Sequence, residues 1–519
     1  MRVLLINSNL RDDFFAAAPI GLCYIASATE SAGHEVKVLD LCFKARIHRE
    51  IRESVKTFSP DVVGISVRNI DNCNMLYPVS YIPQIREMVR HIRQVSNAPV
   101  VLGGAGASLI PEDVLRRLEA DYIVVSDGEK SFVDLLSALS GQRCTSGLPG
   151  IGAQRNGQFD FSPPDLSDCS PVRPDVGKWI DIRPYLRLGA GYNVQSYRGC
   201  GHNCIYCLYN LRLQGFRIRL RPPEDVVDEL EEVVMKYNPD SFDFVDSVFN
   251  EPLDHCVEIL EEIIRRPWKA SFTATAVSPK NLDDQLLRLM WRAGFKSFHI
   301  TPESASDTML RSYQKPFNAD DVIKAAEATN RTHFNVLWFF LIGGPDETNQ
   351  TLQESLDFCL KYLHSNHRQG NQMANLMLGV RLYPGTKLWE RSLNEGIINH
   401  GSDPLEQLWY LSRKLDLPMA FKQMLQAARI SPEILSGMDE RFMALSGLIA
   451  FWRKLFRIQK PGWAFMVRAN KIFRRMLMPV AFRSDTLVSK IRQRLELQGY
   501  PPTSFGKHSQ PLKAPLKIG

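Results

Sequence analysis

The chain has 519 residues, of which 44% are hydrophobic and 23% charged, with a net charge of +6. That is the balance of an ordinary soluble globular protein of roughly two to four domains. Its ten cysteines are too scattered for a disulfide framework and fit a reducing cytosol, and no uninterrupted run reaches the roughly 18 apolar residues that a spanning helix needs. The N-terminal "MRVLLINSN" leads directly into a strand-like segment without an apolar leader or cleavage site, so a cytoplasmic protein is expected.

Residues 1–144 are expected to form a first unit. Apolar, largely β-branched runs at 2–8, 35–41, 61–67, 99–104 and 122–127 are nearly continuous, as strands buried on both faces should be. Helical patterns lie between and after them, at about 20–32, 45–58, 80–95, 111–119 and 129–140. The alternation predicts an α/β fold with a doubly wound parallel sheet, Rossmann-like in type. Such sheets bind ligands beyond the carboxyl ends of their strands. There "LGGAGAS" sets Gly103, Gly104 and Gly106 after the fourth strand, where backbone can approach a ligand closely. "GISVRNIDN", with Ser66 and Arg68, follows the third strand, and "VSDGEK", with Glu129, follows the fifth. A nucleotide-binding fold would carry G-x-G-x-x-G after the first strand, where Asn7, Ser8 and Asn9 stand instead. Each glycine taken singly could simply turn a corner.

"PIGLCYIAS" (19–27), the glycine loop and "DGEK" together resemble the cobalamin-binding domain at the front of many radical enzymes. The resemblance implies a corrin held by Ser66, Arg68, Gly103, Gly104, Gly106 and Glu129. The D-x-H-x-x-G motif, whose histidine ligates cobalt from below, is absent. Arg68 is then a candidate to lie near the lower face of the corrin, or else to pair with Asp71 or with a corrin amide.

Residues 145–190 are rich in Gly, Pro, Ser and Asp and read as a linker. The strand "YNVQSYR" (192–198) then delivers Cys200, Cys204 and Cys207 into one loop, with no fourth partner at metal-ligand spacing. Zinc closes its structural sites with four ligands, and only His202, inside the same tight loop, could be offered as the fourth. Iron–sulfur clusters usually take four thiolates. With three, one iron keeps an open position where a substrate can bind. Strand patterns recur at about 192–198, 241–246, 270–277, 296–302, 334–342 and 373–382.

C-x-x-x-C-x-aromatic-C, with Tyr206 as the aromatic, resembles the radical S-adenosylmethionine (SAM) superfamily. The resemblance implies a partial (β/α)6 barrel over residues 191–395 and a [4Fe–4S] cluster on Cys200, Cys204 and Cys207. SAM would fill the open iron position, and one electron would release a 5′-deoxyadenosyl radical. "FDFVDSVFN" (242–250), "ITPESASDTMLRSYQK" (300–315), "FFLIGGPDET" (339–348) and "RLYPGTKLWE" (381–390) resemble family segments. They nominate Asp246, Glu303, Gly343 and Gly344, with Tyr206, as SAM contacts. Singly, Asp246 and Glu303 could be caps or turn residues, and Pro384 and Gly385 a simple turn.

From 396 to 499 helical patterns replace the strands, and 500–519 reads as a disordered tail. The stretch 452–478 carries basic residues interleaved with aromatics and no acid. It reads as a helical face packed on the barrel mouth, as an interfacial helix on an anionic membrane, or as a nucleic-acid binder without a recognition fold. No nucleic-acid partner is expected.

A cobalamin domain ahead of a radical barrel resembles the cobalamin-dependent radical methylases. The implied reaction is methylation of an unactivated carbon in a small-molecule, secondary-metabolite or lipid precursor, with a flavodoxin or ferredoxin as electron donor. Two alternatives stay open: a radical rearrangement or cyclisation without methyl transfer, and a non-catalytic cobalamin-binding or scaffold protein.

Overall fold

The computed structural model describes residues 1–10, 16–141, 143–166, 173–188, 190–364, 371–431, 433–436, 484–498 and 500. The first sheet is built from β1 (Arg2–Asn7), β2 (Glu35–Asp40), β3 (Val62–Ser66), β4 (Val100–Gly103), β5 (Tyr122–Val124), β6 (Ile151–Arg155) and β7 (Gln158–Phe161). Their order is β2-β1-β3-β4-β5-β6-β7. The first five strands pair in parallel. Helices cover both faces, so alternate residues of one strand serve different cores: Leu4 and Ile6 pack in one cluster, Val3 and Leu5 in another. This explains why the strands read as unbroken apolar runs. The order changes direction between β1 and β3, the switch point at which such sheets bind ligands.

The segment read as a linker is largely structured. β6 and β7 form an antiparallel hairpin that extends the sheet. Asn156 and Gly157 both take positive φ at its tip, the Asn-Gly turn that suits a two-residue hairpin. Two short helices follow, Val176–Trp179 and Arg183–Leu188.

The second unit runs β8 (Tyr192–Val194), β9 (Tyr197–Arg198), β10 (Arg219–Leu220), β11 (Phe242–Phe244), β12 (Phe272–Val277), β13 (Phe295–Glu303), β14 (Asn335–Ile342), β15 (Asn371–Leu378), β16 (Val380–Arg381), β17 (Trp409–Tyr410) and β18 (Ile434–Ser436). Its main sheet, in the order β18-β15-β14-β13-β12-β11-β8, is parallel throughout. The six strands of the partial barrel are therefore present, and β18 adds a seventh from the region expected to be purely helical. β17 also lies there, paired with β16. Strands of two or three residues show too little periodicity to stand out among helical patterns. The helices Leu417–Ile430 and Ser484–Gln498 account for the helical character of that region. The stretch 452–478 and the tail after residue 500 lie outside the described residues. No described helix is long and apolar enough to cross a membrane.

Buried charges tie the ends of the two sheets together. Arg381 Nε donates to Asp71 at 3.0 Å, and both side chains are almost wholly buried. Arg198 and Arg219 reach Glu129 and Asp127 at 2.6 Å each. Asp71 lies beyond β3, Asp127 and Glu129 lie beyond β5, and Arg381 follows β15. The carboxyl edges of both sheets are thus turned toward a common interface.

Candidate active site

The cysteine loop is held from several sides. Asp246, just beyond β11, accepts hydrogen bonds from Ser196 N at 2.7 Å, Ser196 Oγ at 2.8 Å and Tyr197 N at 3.2 Å. Burial pushes its carboxyl up to about 6, against the pull of those bonds. Expected against the cosubstrate, Asp246 is taken up by the backbone that feeds the loop. Farther along, Cys200 N donates to Gly215 O at 3.1 Å and Ile205 N to Tyr313 O at 3.2 Å. Ser247 Oγ donates to Gly199 O at 2.7 Å.

The three thiols are partly exposed at this end of the barrel. Burial raises Cys200 and raises Cys207 to about 11. Burial would raise Cys204 as well, but the charge of Lys315 and a hydrogen bond from His202 outweigh it and hold this thiol below its ordinary value. His202 is pushed up to about 9, first by its bond to Cys204 and next by Glu251, whose Oε2 lies 2.6 Å from its Nε2. Among the described residues, no three His, Cys, Asp or Glu side chains are set to hold a single metal ion. A donor set of three thiols suits a multi-iron cluster with one open iron, and His202 already has its partner in Glu251.

Beside the loop, Glu303 ends β13 with φ +68°, a left-handed conformation uncommon for a residue with a side chain. Its carboxylate accepts from Tyr206 Oη at 2.8 Å and from Lys315 Nζ at 3.1 Å. Glu303 and Tyr206, both nominated from the motifs, therefore meet. Lys315, which closes the segment 300–315, belongs to this group although no motif nominates it. Its signal was only that of a lysine, a residue type that is ordinarily exposed. Burial pushes the Tyr206 phenol well up, helped by the charge of Glu303.

Gly343 and Gly344 lie in the turn after β14. Gly343 has φ +95°, and a Cβ there would sit 2.2 Å from Leu411 Cδ1; one on Gly344 would sit 2.2 Å from the Tyr313 hydroxyl. Both glycines let neighbouring side chains close over the turn. Gly343 N donates to Glu347 Oε2 at 2.7 Å. Glu347 is fully buried, and burial pushes its carboxyl up to about 8.

On the first sheet, Gly104 has φ +95°, and a Cβ there would lie 2.8 Å from Val67 O. A Cβ on Gly106 would lie 2.9 Å from the backbone of Asn69. These two glycines let the loops after β3 and β4 lie against each other. Gly103 differs: its Cβ would meet nothing nearer than 3.9 Å. Gly104, Ala105, Arg68 and Asn69 are exposed at this edge, and Ser66 is half-buried beneath it. An exposed rim of backbone and small residues at the switch point suits a broad, flat ligand such as a corrin. Asp71, one candidate partner for Arg68, is bound by Arg381. Glu129 is bound by Arg198, whose charge holds the carboxyl below its ordinary range despite burial. Along the barrel strands, alternate residues such as Asn193, Thr275, His299, Phe339 and Asn375 are only half-buried, so the interior is not filled.

A family model described as B12 binding domain matches residues 14–136, and one described as Radical SAM superfamily matches 194–359. An uncharacterised methyltransferase of Pyrococcus horikoshii is 26% identical, the match spanning 73% of this chain and 79% of the relative. Cytidylyl-2-hydroxyethylphosphonate methyltransferase of Streptomyces wedmorensis is 24% identical, over 80% and 85%. The fold is that of the radical SAM methyltransferase TsrM from Kitasatospora setae, a structure with cobalamin and a [4Fe–4S] cluster bound. That similarity has a TM-score of 0.74 at 21% identity and covers 91% of this chain and 99% of that one. The chain belongs to the cobalamin-dependent radical SAM enzymes, whose cofactors are cobalamin, a [4Fe–4S] cluster and SAM.

Proposed function

We propose that this cobalamin-dependent radical SAM enzyme methylates an unactivated carbon of a small organic molecule, a secondary-metabolite or lipid precursor, held between the two sheet edges. The observation that carries the reading is the buried ion pairing of Asp71 with Arg381 and of Glu129 with Arg198. These pairs set a thiol-bearing edge opposite a glycine-lined one. When bound, the cluster with SAM supplies a 5′-deoxyadenosyl radical and cobalamin supplies the methyl group.

The chain's own residues bind and orient these parts. Cys200, Cys204 and Cys207 hold the cluster. Tyr206, Glu303 and the Gly343-Gly344 turn shape the SAM site, and Asp246 positions the loop from behind. Ser66, Arg68, Gly103, Gly104 and Gly106 would hold the corrin at the first-sheet edge. Glu129 acts by fixing Arg198 across the interface. The half-filled barrel interior receives the substrate and keeps water from the radical. A flavodoxin or ferredoxin delivers the electron.

The test is anaerobic purification with added cobalamin, cluster reconstitution and incubation with SAM carrying a deuterated methyl group. Paired formation of S-adenosylhomocysteine, 5′-deoxyadenosine and a deuteromethylated product is expected. 5′-Deoxyadenosine with an unmethylated product would transfer the reading to a rearrangement. A spectrum lacking a corrin would overturn methyl transfer.

A further inference from the structure

Lys315 is a long cationic side chain with only 6% exposure, placed against the cysteine loop. Its Nζ lies 3.1 Å from Glu303 Oε1 and donates to Thr301 O at 3.4 Å. It stands 5.6 Å from the centre of the Tyr206 ring, and Tyr206 sits between Cys204 and Cys207. Burying a lysine opposes folding unless it is paired, and a buried ion pair often stabilises no better than apolar residues of equal volume. Fold stability therefore gives little reason for an ammonium here. Its neighbourhood gives a better one, because a fixed charge acts strongly where water is excluded.

We propose that Lys315 is a positioning residue for electron transfer, its fixed positive charge stabilising the reduced form of the cluster held by Cys200, Cys204 and Cys207. Reduction adds one electron to the cluster, and a neighbouring cation favours the more negative state. Glu303 acts in the opposite sense. The proposal rests on the reading of the trio as a [4Fe–4S] site.

The test is a redox titration of reconstituted enzyme without SAM, followed by electron paramagnetic resonance, with iron content measured in each sample. K315M should lower the ratio of reduced to oxidised cluster at a fixed potential about tenfold, equivalent to about 59 mV for a one-electron couple. K315R should stay close to wild type, and E303Q should raise the ratio. An unchanged midpoint in iron-replete K315M overturns the proposal. If K315M does not fold, an E303Q midpoint that fails to rise overturns it instead. A wild-type protein that takes up no cluster would refute the underlying reading, a result distinguishable from the other two.

Discussion

The two carboxyl edges that face each other present their ligands in different ways. The first-sheet edge is mostly backbone: Gly104 and Ala105 are uncovered and Gly103 is half-buried beside them, and the buried charges nearby, Asp71 and Glu129, are spent on holding the other unit. The barrel edge is mostly side chain: three thiols, then Tyr206, Glu303 and Lys315 in contact, with strain stored at the φ of Glu303. A large, rigid, flat ligand can be recognised by shape, and a surface without side chains does that. A small reactive centre has to be coordinated and its charge balanced, which takes particular donors at particular distances. The difference implies that the barrel edge should fail abruptly under substitution and the first-sheet edge by degrees.

The largest effect is expected at the thiols. C204S should reduce bound iron to background and abolish 5′-deoxyadenosine formation while cobalamin uptake persists. Iron analysis and product chromatography on one sample would check this. Loss of corrin in the same variant would break the proposed independence of the two edges. Next comes the bond that holds the edges in register. R381A leaves Asp71 charged and buried, which should destabilise the fold by about 3–5 kcal/mol. Hydrogen exchange in the loop after β3 should report it, and D71N/R381M should recover much of the loss.

The contrast also governs what could be read in the sequence. The parallel strands β1 to β5 and the six barrel strands were legible because burial forces apolar runs, and the thiols because their spacing is local. Asp246 and Glu129 were found as residues but not with their partners. Their partners, Ser196 and Arg198, lie 50 and 69 residues away in the chain, and no local pattern encodes such a pairing. Asp71 with Arg381, 310 residues apart, escaped for the same reason, whereas Lys315, only 12 residues from Glu303, was missed because a lysine is ordinarily exposed. The hairpin of β6 and β7 was concealed by its Pro- and Gly-rich surroundings, although its Asn-Gly turn was present in the sequence.

The glycines sharpen the comparison at intermediate size. Gly103 has room for a methyl group and no positive φ, whereas Gly104 has neither advantage. G104A should therefore lower stability by about 1–3 kcal/mol, because φ +95° with ψ 171° is a backbone conformation essentially confined to glycine, visible as a lower melting temperature in apoprotein. G103A should leave apoprotein melting unchanged and weaken cobalamin binding several-fold, read from the corrin spectrum at equilibrium dialysis. If both variants bind corrin as wild type does, the first-sheet edge is not the corrin face.

The smallest expected effect separates the edges by pH. Glu347, under the Gly343-Gly344 turn of the barrel, has its carboxyl raised by burial from 4.5 to about 8. The folded protein therefore keeps a proton that the unfolded chain gives up near its ordinary value. Between those two values the folded state binds more protons, so stability falls as pH rises through that window. Below it the contribution is fully present; above it the contribution is lost. Asp246 adds the same sign over a narrower range, from 3.8 to about 6. Above pH 6 Glu347 shares the slope with His202, raised from 6.5 to about 9, and E347Q, which stays neutral throughout, should make the fall of melting temperature between pH 6 and 8 shallower without removing it. Hydrogen exchange in the turn after β14 should follow the same profile in wild type, while the loops after β3 and β4 stay flat. A slope in E347Q as steep as that of wild type would place the responsible proton elsewhere and remove the distinction.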